Sequence, residues 1–187
     1  MKKIILGITG ASGSIYPLRL LEVLAQMPVE AHIVASEMGA QVFKHETGHD
    51  LQSLVDGAAQ FKAERSDDFF SCLASGSYRT DGMVILPCSM STVGHLAGGI
   101  SSNLLHRAAA VCLKERRKLV IAFREMPVTS VDLQNMLTLS NSGAVILPLA
   151  PGFYHKPTTC GELIDFVVGK VLDSLEIENN LYKRWPH

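Results

Sequence analysis

The sequence predicts a doubly wound α/β fold, in which helices cover both faces of one parallel sheet. Short apolar runs alternate with longer stretches of helical periodicity, as in repeated strand–helix units. The runs are aliphatic or β-branched and end at turn residues, which is typical of strands buried on both faces. With 187 residues, 47% of them hydrophobic and 19% charged, the chain has the composition of one domain with a full core. We therefore expect a single domain over residues 1–187 and exclude disorder or a two-domain enzyme.

The predicted elements follow from the same periodicities. Five strands are predicted, at residues 4–8, 32–35, 83–86, 119–122 and 144–147. Helical spacing predicts helices at residues 14–26, 37–46, 102–117, 130–141 and 160–175. Pro28 and Gly143 mark element ends. Residues 48–80 show neither pattern and contain Gly57 and a Ser75-Gly76-Ser77 cluster, so we expect loops there.

Charge and cysteine content argue against several classes of partner. Seventeen Lys and Arg residues stand against eighteen Asp and Glu residues, a net charge of -1, so neither nucleic acid nor a membrane surface is an expected partner. The four cysteines lie far apart without a C-x-x-C pair, which predicts free thiols rather than a disulfide framework or zinc knuckle. The first residues resemble a signal peptide only in two lysines, so we expect mature sequence and a cytoplasmic protein.

Small and polar residues directly follow four of the predicted strands. They are Thr9 to Gly13, Ser36, residues 87–92, and Arg124 with Glu125. Because ligands of doubly wound sheets bind at the carboxyl ends of the strands, these residues are expected to share one site. Glycines let backbone N–H groups approach a ligand, hydroxyls donate hydrogen bonds and a guanidinium adds a forked charge. This edge of the sheet is suited to a phosphate.

The glycines of the first strand–helix turn form an uncommon pattern. Gly7, Gly10 and Gly13 give G-x-x-G-x-x-G, which is neither the dinucleotide fingerprint nor the P-loop. Taken alone, this spacing fits a tight turn without a ligand as well as a binding loop. The hydroxyl groups at positions 89–92 favour the phosphate of a mononucleotide.

Residues 45–49 read His-Glu-Thr-Gly-His, which matches the zinc-protease pattern H-E-x-x-H. That chemistry needs both histidines on one face of a continuous helix and a third ligand. Gly48 and Asp50 predict that the helix ends within the pattern. The remaining histidines show no ligand spacing: His32, His95, His106, His155 and His187. We therefore do not expect zinc-protease chemistry, although Glu46 can still point into a site.

The basic residues between positions 107 and 118 can be interpreted either as a solvated helix end or as part of an anion-binding site. The run Lys114 to Lys118 is typical of a solvated helix end, where cations are favourable. Arg107 and Lys114 are seven residues apart, so they share a helix face and could together hold an anion. By spacing alone, Tyr154 and Lys170 are ordinary surface residues.

Several longer motifs occur together in this chain. They are Gly7-Ile8-Thr9-Gly10-Ala11-Ser12-Gly13, Ala74-Ser75-Gly76-Ser77-Tyr78, residues 82–90, Leu113-Lys114-Glu115-Arg116-Arg117, Arg124-Glu125 before Pro127, Phe153-Tyr154-His155-Lys156-Pro157, and Arg184-Trp185. With these motifs the chain resembles, nearly end to end, the UbiX-type flavin prenyltransferase family, also described as aromatic-acid decarboxylase subunits. The resemblance implies a flavodoxin-like, Rossmann-like three-layer fold, bound FMN, and a homo-oligomer, a trimer-based dodecamer, with sites between protomers.

The resemblance also implies a reaction. A dimethylallyl group passes from dimethylallyl monophosphate to N5 and then C6 of reduced FMN, without a metal, and the prenylated FMN serves a UbiD-type decarboxylase. The residues implied to bind FMN are Gly10, Ala11, Ser12, Ser36, Ser89, Met90, Ser91, Thr92 and Arg124. Those implied to bind the prenyl phosphate are Arg107, Lys114, Tyr154 and Lys170, with Glu125 completing the pocket and Trp185 closing it.

Three residues are implied to lie near the reacting atoms: Ser12, Glu46 and Glu125. Ring closure at C6 needs a proton acceptor, and the sequence does not rank Glu46, Glu125 and the released phosphate. An allylic cation favours aromatic faces without competing water, while fixed lysine and arginine charges can stabilise the departing phosphate.

The chain departs from the family pattern at three positions. Ala110 replaces an aspartate, Phe123 replaces a smaller residue or proline before Arg124, and Met126 replaces a threonine. Loss of the aspartate is expected to alter a salt bridge or a subunit contact near Arg107, whereas Phe123 can simply pack in the core.

Two other functions remain as alternatives for this fold. An FMN-dependent cysteine decarboxylase of the same fold carries Pro-Ala-Ser-Ala-Asn-Thr where residues 87–92 read Pro-Cys-Ser-Met-Ser-Thr, and a Pro-x-Met-Asn-x-x-Met-Trp segment that this chain lacks. A non-catalytic FMN carrier would lose the prenyl-phosphate residues, all of which are present here.

Overall fold

The computed structural model describes residues 1–185 and contains one sheet of six parallel strands. The strands are β1 (Lys2–Ile8), β2 (Val29–Ala35), β3 (Phe61–Glu64), β4 (Gly82–Cys88), β5 (Lys118–Phe123) and β6 (Val145–Pro148). The helices are α1 (Ile15–Leu24), α2 (Glu37–Thr47), α3 (Leu51–Asp56), α4 (Met90–Ala97), α5 (Leu104–Lys114), α6 (Ser130–Asn141) and α7 (Cys160–Ser174). A short 3₁₀ turn spans Cys72–Ala74.

The strand order is β3-β2-β1-β4-β5-β6, which confirms the predicted doubly wound sheet. The order reverses between β1 and β4, which pair in parallel with Leu6 opposite Val84. Such a reversal opens a crevice at the carboxyl ends of the two central strands. Each of the five predicted strands overlaps an observed one.

Helices pack on both faces of the sheet and form two hydrophobic cores. Helices α1, α2, α3 and α7 cover one face, where Phe43 and Val168 are fully buried. Helices α4, α5 and α6 and the 3₁₀ turn cover the other face, where Leu105 is fully buried. Phe123 packs against this second core, as its aromatic side chain at the end of β5 predicts. Central strands therefore lie between two apolar layers, which explains their uninterrupted hydrophobic runs.

Four short elements differ from the sequence prediction. Strand β3, helix α3 and the 3₁₀ turn lie in the segment expected to be loops, and helix α4 follows β4 directly. Only Phe61 is buried in the four-residue edge strand β3, and only Val55 in the six-residue α3. Elements this short show only about two periods or fewer of a strand or helix pattern, so periodicity alone does not reveal them.

Helix α2 ends where the sequence predicts. Its C-cap is Gly48, whose φ of 73° lies in the left-handed region that favours glycine. His49 therefore lies outside the helix that carries His45, and the two do not form the helical H-E-x-x-H arrangement of a zinc protease.

All four cysteines are free thiols, as predicted: Cys88 and Cys112 are buried, and Cys72 and Cys160 are exposed. Burial raises the pKa of the Cys112 thiol to about 11. None of the helices in the described chain is both long enough and apolar enough to cross a bilayer.

Candidate active site

Thr9 joins the two central strands at the point where the strand order reverses. Its Oγ1 donates to the carbonyl of Pro87 at 2.7 Å and accepts from the N–H of Ser89 at 2.8 Å. The side chain is only 3% exposed, so these bonds fix the loop after β4 relative to the loop after β1. The sequence places Thr9 among the polar residues of this edge but assigns it no role of its own. The sequence feature that marks Thr9 is its position as a polar residue directly after the buried strand β1.

The start of α2 packs against the end of β1 at very close range. A Cβ atom on Gly39 would lie 2.5 Å from the Ile8 carbonyl oxygen, and one on Gly10 would lie 2.6 Å from Met38 Cγ. Ser36 caps this helix, because its Oγ accepts from the Gly39 N–H at 3.0 Å. Gly10 and Ser36 are thus held close together at the carboxyl edge of the sheet, where the sequence leads us to expect an anion.

Glu46 reaches from the last turn of α2 to the loop after β1. Its Oε2 accepts from the backbone N–H groups of Gly13 at 2.9 Å and Ser14 at 2.7 Å. Partial burial acts to raise the pKa of Glu46, but hydrogen bonds from the Ser12 hydroxyl and from Ser14 and Gly13 outweigh it and hold this pKa at about 2. The structure therefore brings Ser12 and Glu46 together, with Glu46 as a carboxylate.

The segment Ser89 to Thr92 forms the N-terminus of α4. Ser89 is the N-cap, and its Oγ accepts from the Thr92 N–H at 3.3 Å and donates to Thr92 Oγ1 at 3.2 Å. Thr92 is buried, Met90 is half-buried and Ser91 is exposed. The positive end of the α4 dipole thus faces the same edge as Gly10 and Ser36, which favours an anionic ligand.

Arg124 extends this edge beyond β5. Its N–H donates to the Cys88 carbonyl at 3.4 Å, which pairs the end of β5 with the end of β4. Its Nε is buried and has no hydrogen-bond partner within residues 1–185. Buried guanidinium nitrogens are normally paired, so this donor is available for a ligand anion such as the phosphate of FMN. Glu125 lies beside it, with Oε1 at 3.8 Å from Arg124 Nη1.

An aromatic cluster surrounds Tyr154. The ring centroid of Tyr154 lies 5.7 Å from that of Phe166 and 5.3 Å from that of Trp185, both edge-on. A cleft of about 300 Å³ opens between Tyr154 and Trp185. Lys170 is exposed on α7, one helical turn after Phe166. Sequence analysis missed Phe166, whose only signal is an apolar position in α7.

Arg107 and Lys114 lie on one face of α5, as their spacing predicts. Arg107 Nε donates to the Ala74 carbonyl at 3.0 Å. Lys114 pairs with Glu115, and a Cβ on Gly76 would lie 2.7 Å from its Nζ. Both basic residues therefore face the segment of residues 74–76.

The structure does not bring all the expected substrate residues together within one chain. Arg107 and Lys114 are on α5, which packs on one face of the sheet, whereas Tyr154 and Lys170 belong to the layer of α7 on the other face. Lys114 also lies just before β5, at the amino end of the sheet, opposite Ser36 and Arg124. One copy alone therefore does not form the anion pocket implied by the family resemblance, which also implies sites between protomers.

Comparison with known proteins identifies the family. The flavoprotein family model matches residues 1–181. The flavin prenyltransferase UbiX of Methanocaldococcus jannaschii is 49% identical over 183 residues, which cover 98% of each chain. The chain belongs to the UbiX flavin prenyltransferase family.

Solved structures of UbiX proteins confirm the fold. A UbiX protein crystallised with FMN and dimethylallyl pyrophosphate matches with a TM-score of 0.95 and 35% identity, covering 100% of this chain and 98% of that one. A dodecameric FMN-dependent UbiX-like decarboxylase from Escherichia coli O157:H7 matches with a TM-score of 0.94 and 39% identity, covering 99% and 100%. The flavodoxin-like three-layer fold expected from the resemblance to UbiX is thereby confirmed.

Proposed function

We propose that this protein is a flavin prenyltransferase that transfers a dimethylallyl group from a dimethylallyl phosphate to N5 and C6 of reduced FMN. The observation that carries the proposal is the full-length, 49% identity to a flavin prenyltransferase. The polar edge at the centre of the sheet supports it independently, because that edge has the donors that a mononucleotide needs. Both lines favour prenyl transfer over cysteine decarboxylation and over a passive FMN carrier.

The carboxyl edge of the sheet is proposed to hold FMN. The backbone at Gly10, Ala11 and Ser12 would approach the flavin closely, and Ser36 with the Ser89–Thr92 turn would donate to its polar groups. The buried Nε of Arg124 has no hydrogen-bond partner in the described part of the chain, so it could donate to a phosphate oxygen. When bound and reduced, FMN supplies the nucleophilic N5 atom of the reaction.

The aromatic cluster of Tyr154, Phe166 and Trp185 is proposed to receive the prenyl donor. Breaking the bond between the dimethylallyl carbon and the phosphate oxygen leaves positive charge on the allyl group and negative charge on the phosphate. Aromatic faces stabilise the first charge, and the ammonium group of Lys170 stabilises the second. Trp185 lies against Tyr154, where it would exclude water from the cleft.

A second copy of the chain is proposed to complete the phosphate pocket. Arg107 and Lys114 lie on the opposite face of the sheet from Lys170, so they can join it only from a neighbouring protomer. A homo-oligomer with sites between protomers satisfies this requirement, and we propose the trimer-based dodecamer that the family resemblance implies.

The pKa of Glu46 supports a choice among the three candidate proton acceptors. A carboxylate with a pKa of about 2 binds a proton weakly at neutral pH, so Glu46 is a poor base for the C6 proton. We assign to Glu46 the tasks of fixing the loop Ser12–Ser14 and placing negative charge near the developing cation. Glu125 or the released phosphate then accepts the proton.

The proposal also covers the prenyl donor, the recipient of the product and the location of the protein. We propose dimethylallyl monophosphate as the donor, because one phosphate matches a small cluster of fixed cations. We propose a UbiD-type decarboxylase as the recipient of prenylated FMN, and the cytoplasm as the location. Each rests on the family resemblance or on the composition of the chain.

The direct test is anaerobic incubation of the purified protein with reduced FMN and dimethylallyl monophosphate, without added metal, followed by mass analysis of the extracted flavin. We expect a gain of one C5H8 unit. Parallel reactions with the pyrophosphate distinguish the two donors. Unmodified flavin recovered from an FMN-loaded protein with both donors would refute prenyl transfer and favour a carrier.

A further inference from the structure

A compact group of potential metal ligands lies away from the flavin edge. It consists of His32 on β2, Glu64 on β3 and Cys72 in the 3₁₀ turn. One ligand atom from each residue lies within 4.8 Å of the other two. His32 Nδ1 is already 2.6 Å from Glu64 Oε1. His32 is only 2% exposed, whereas Cys72 is exposed and leaves the group open to solvent.

The imidazole of His32 is oriented as a metal ligand would be. Its other nitrogen, Nε2, lies 3.1 Å from Glu30 Oε1 and 2.9 Å from the Tyr78 hydroxyl. Glu30 is itself held in place by two ammonium groups, because its Oε1 lies 2.8 Å from Lys62 Nζ and 3.4 Å from Lys3 Nζ. Metal-binding histidines commonly donate their second N–H to a carboxylate, which fixes the ring and its tautomer. Nδ1 is then the nitrogen that points at Glu64 and Cys72.

From this arrangement we propose that His32, Glu64 and Cys72 form a binding site for a divalent zinc-type ion. Thiolate, imidazole and carboxylate are the three ligand types that zinc uses in proteins. Ligand atoms around a tetrahedral zinc ion lie about 3.3 to 3.7 Å apart, so rotation of the Glu64 side chain converts its present contact with His32 into shared coordination. Water reaches the fourth position from the exposed side of Cys72.

Metal binding at this site would exchange protons for the ion. Zinc binds the thiolate of Cys72, so the thiol proton passes to solvent, and the ion would displace any proton held between His32 Nδ1 and Glu64 Oε1. Affinity should therefore fall as the pH is lowered, because protons compete for the same atoms. The sulfur, nitrogen and oxygen ligands all come from this chain, and the proposal requires no part of the flavin reaction.

Such an ion would connect three parts of the fold. It would link β2, the edge strand β3 and the turn that leads into residues 74–76. That segment accepts the hydrogen bond from Arg107 and, through Gly76, one from Arg117 at 2.6 Å. The site is thus placed to stabilise the edge of the sheet and the position of Arg107.

The test uses the two exposed cysteines of the same molecule. The metal-free, assembled protein is treated with iodoacetamide in the presence and absence of Zn²⁺, and alkylation of each cysteine is followed by peptide mass spectrometry. We expect Zn²⁺ to slow the alkylation of Cys72 at least about tenfold, since a bound thiolate is no longer a free nucleophile. Cys160 is the internal control and should react at the same rate in both samples.

Variants then test the ligand set through Zn²⁺ affinity, measured by competition with a chromogenic chelator. Cys72→Ser should weaken binding about 100-fold, Glu30→Gln about 10- to 100-fold, and the matched Cys160→Ser not at all. Equal alkylation of Cys72 with and without Zn²⁺, or equal affinity of Cys72→Ser and Cys160→Ser, would overturn the proposal. The alkylation result on the unmodified chain decides the question if Cys72→Ser does not fold.

Discussion

Glu46 shows how backbone geometry determines the chemistry of a single side chain. Two backbone N–H groups and the Ser12 hydroxyl hold it as a carboxylate with a pKa of about 2. The sequence offered Glu46 as one of three possible proton acceptors and also as part of a false zinc motif. Its hydrogen bonds to Gly13 and Ser14, which are 33 and 32 residues away in sequence, are visible only in the structure. They show that Glu46 holds the loop after β1 in place and keeps a negative charge there.

Glu46→Gln should destabilise the protein by about 1 kcal/mol at neutral pH, because one charge-assisted pair of hydrogen bonds is weakened. The pKa of Glu46 is lowered by folding, so its stabilising effect is complete above the ordinary carboxyl value of 4.5 and is lost as the pH falls towards 2. Urea unfolding of both proteins between pH 7 and pH 3 measures this difference.

The matched control is Asp56→Asn, an exposed carboxylate on α3 that accepts only from Gln52. It should change the free energy of unfolding by less than about 0.5 kcal/mol at any pH. A constant gap between Glu46→Gln and the original protein down to pH 3 would contradict the assigned role of Glu46.

Arg124 places a buried hydrogen-bond donor, its Nε, at the carboxyl edge of the sheet. This Nε has no hydrogen-bond partner among residues 1–185, so we expect Arg124→Ala to lower the affinity for FMN about 100-fold while the protein still folds. Flavin fluorescence titration measures the affinity. Arg65→Ala removes an exposed arginine paired with Asp67 and should leave FMN binding unchanged. Equal FMN affinity of the two variants would exclude Arg124 from the site.

Among the secondary-structure elements, the strands at the centre of the sheet were the easiest to predict. Strands β1, β4 and β5 are buried on both faces, so their apolar runs are continuous and bounded by turn residues. The edge strand β3 has one buried residue and carries no such run. Helix α4 was not predicted, because its first turn coincides with the Ser89–Thr92 segment, which was interpreted as a polar loop. The buried residues Val93 and Leu96 were therefore not recognised as one face of a helix.

The junction between β1 and α2 depends on a glycine that periodicity does not mark. Gly39→Ala would place a methyl group 2.5 Å from the Ile8 carbonyl oxygen, so α2 must shift away from the edge of the sheet. We expect a loss of about 2 kcal/mol in stability and weaker FMN binding, because Ser36 moves with the helix. Thermal unfolding and FMN titration measure the two effects.

Gly94→Ala is the matched control within a helix. The nearest atom to its added methyl group would be Asn135 Nδ2 at 3.7 Å, an ordinary contact. Alanine is the better helix former, so this change should stabilise α4 by about 0.5 to 1 kcal/mol. Similar behaviour of the two variants would show that the close approach at Gly39 is not required.

For the whole molecule, the sequence predicted the topology but not the distribution of the site over the two faces. Alternating apolar runs and helical patterns indicated a doubly wound sheet, and the strand order confirms it. Periodicity cannot show which face of the sheet a helix covers, since both faces are apolar. For this reason the separation of Arg107 and Lys114 from Tyr154 and Lys170 became visible only in three dimensions.

Because these residues lie on opposite faces of the sheet, the proposed active site needs residues from two copies of the chain. This requirement can be tested with variants that each lack one of the two lysines. Lys114→Ala and Lys170→Ala should each abolish most prenyl transfer while leaving FMN bound, because each removes one cation from the phosphate pocket. In mixed oligomers made by co-expression in equal amounts, about a quarter of the sites would contain both lysines.

The decisive measurement is the rate of flavin prenylation by these mixed oligomers, followed as the C5H8 mass gain. If the site is shared between two copies, a mixture of two nearly inactive variants should recover about a quarter of the original rate. A mixture that remains as inactive as its components, although mixed oligomers are shown to form, would contradict a site shared between two copies.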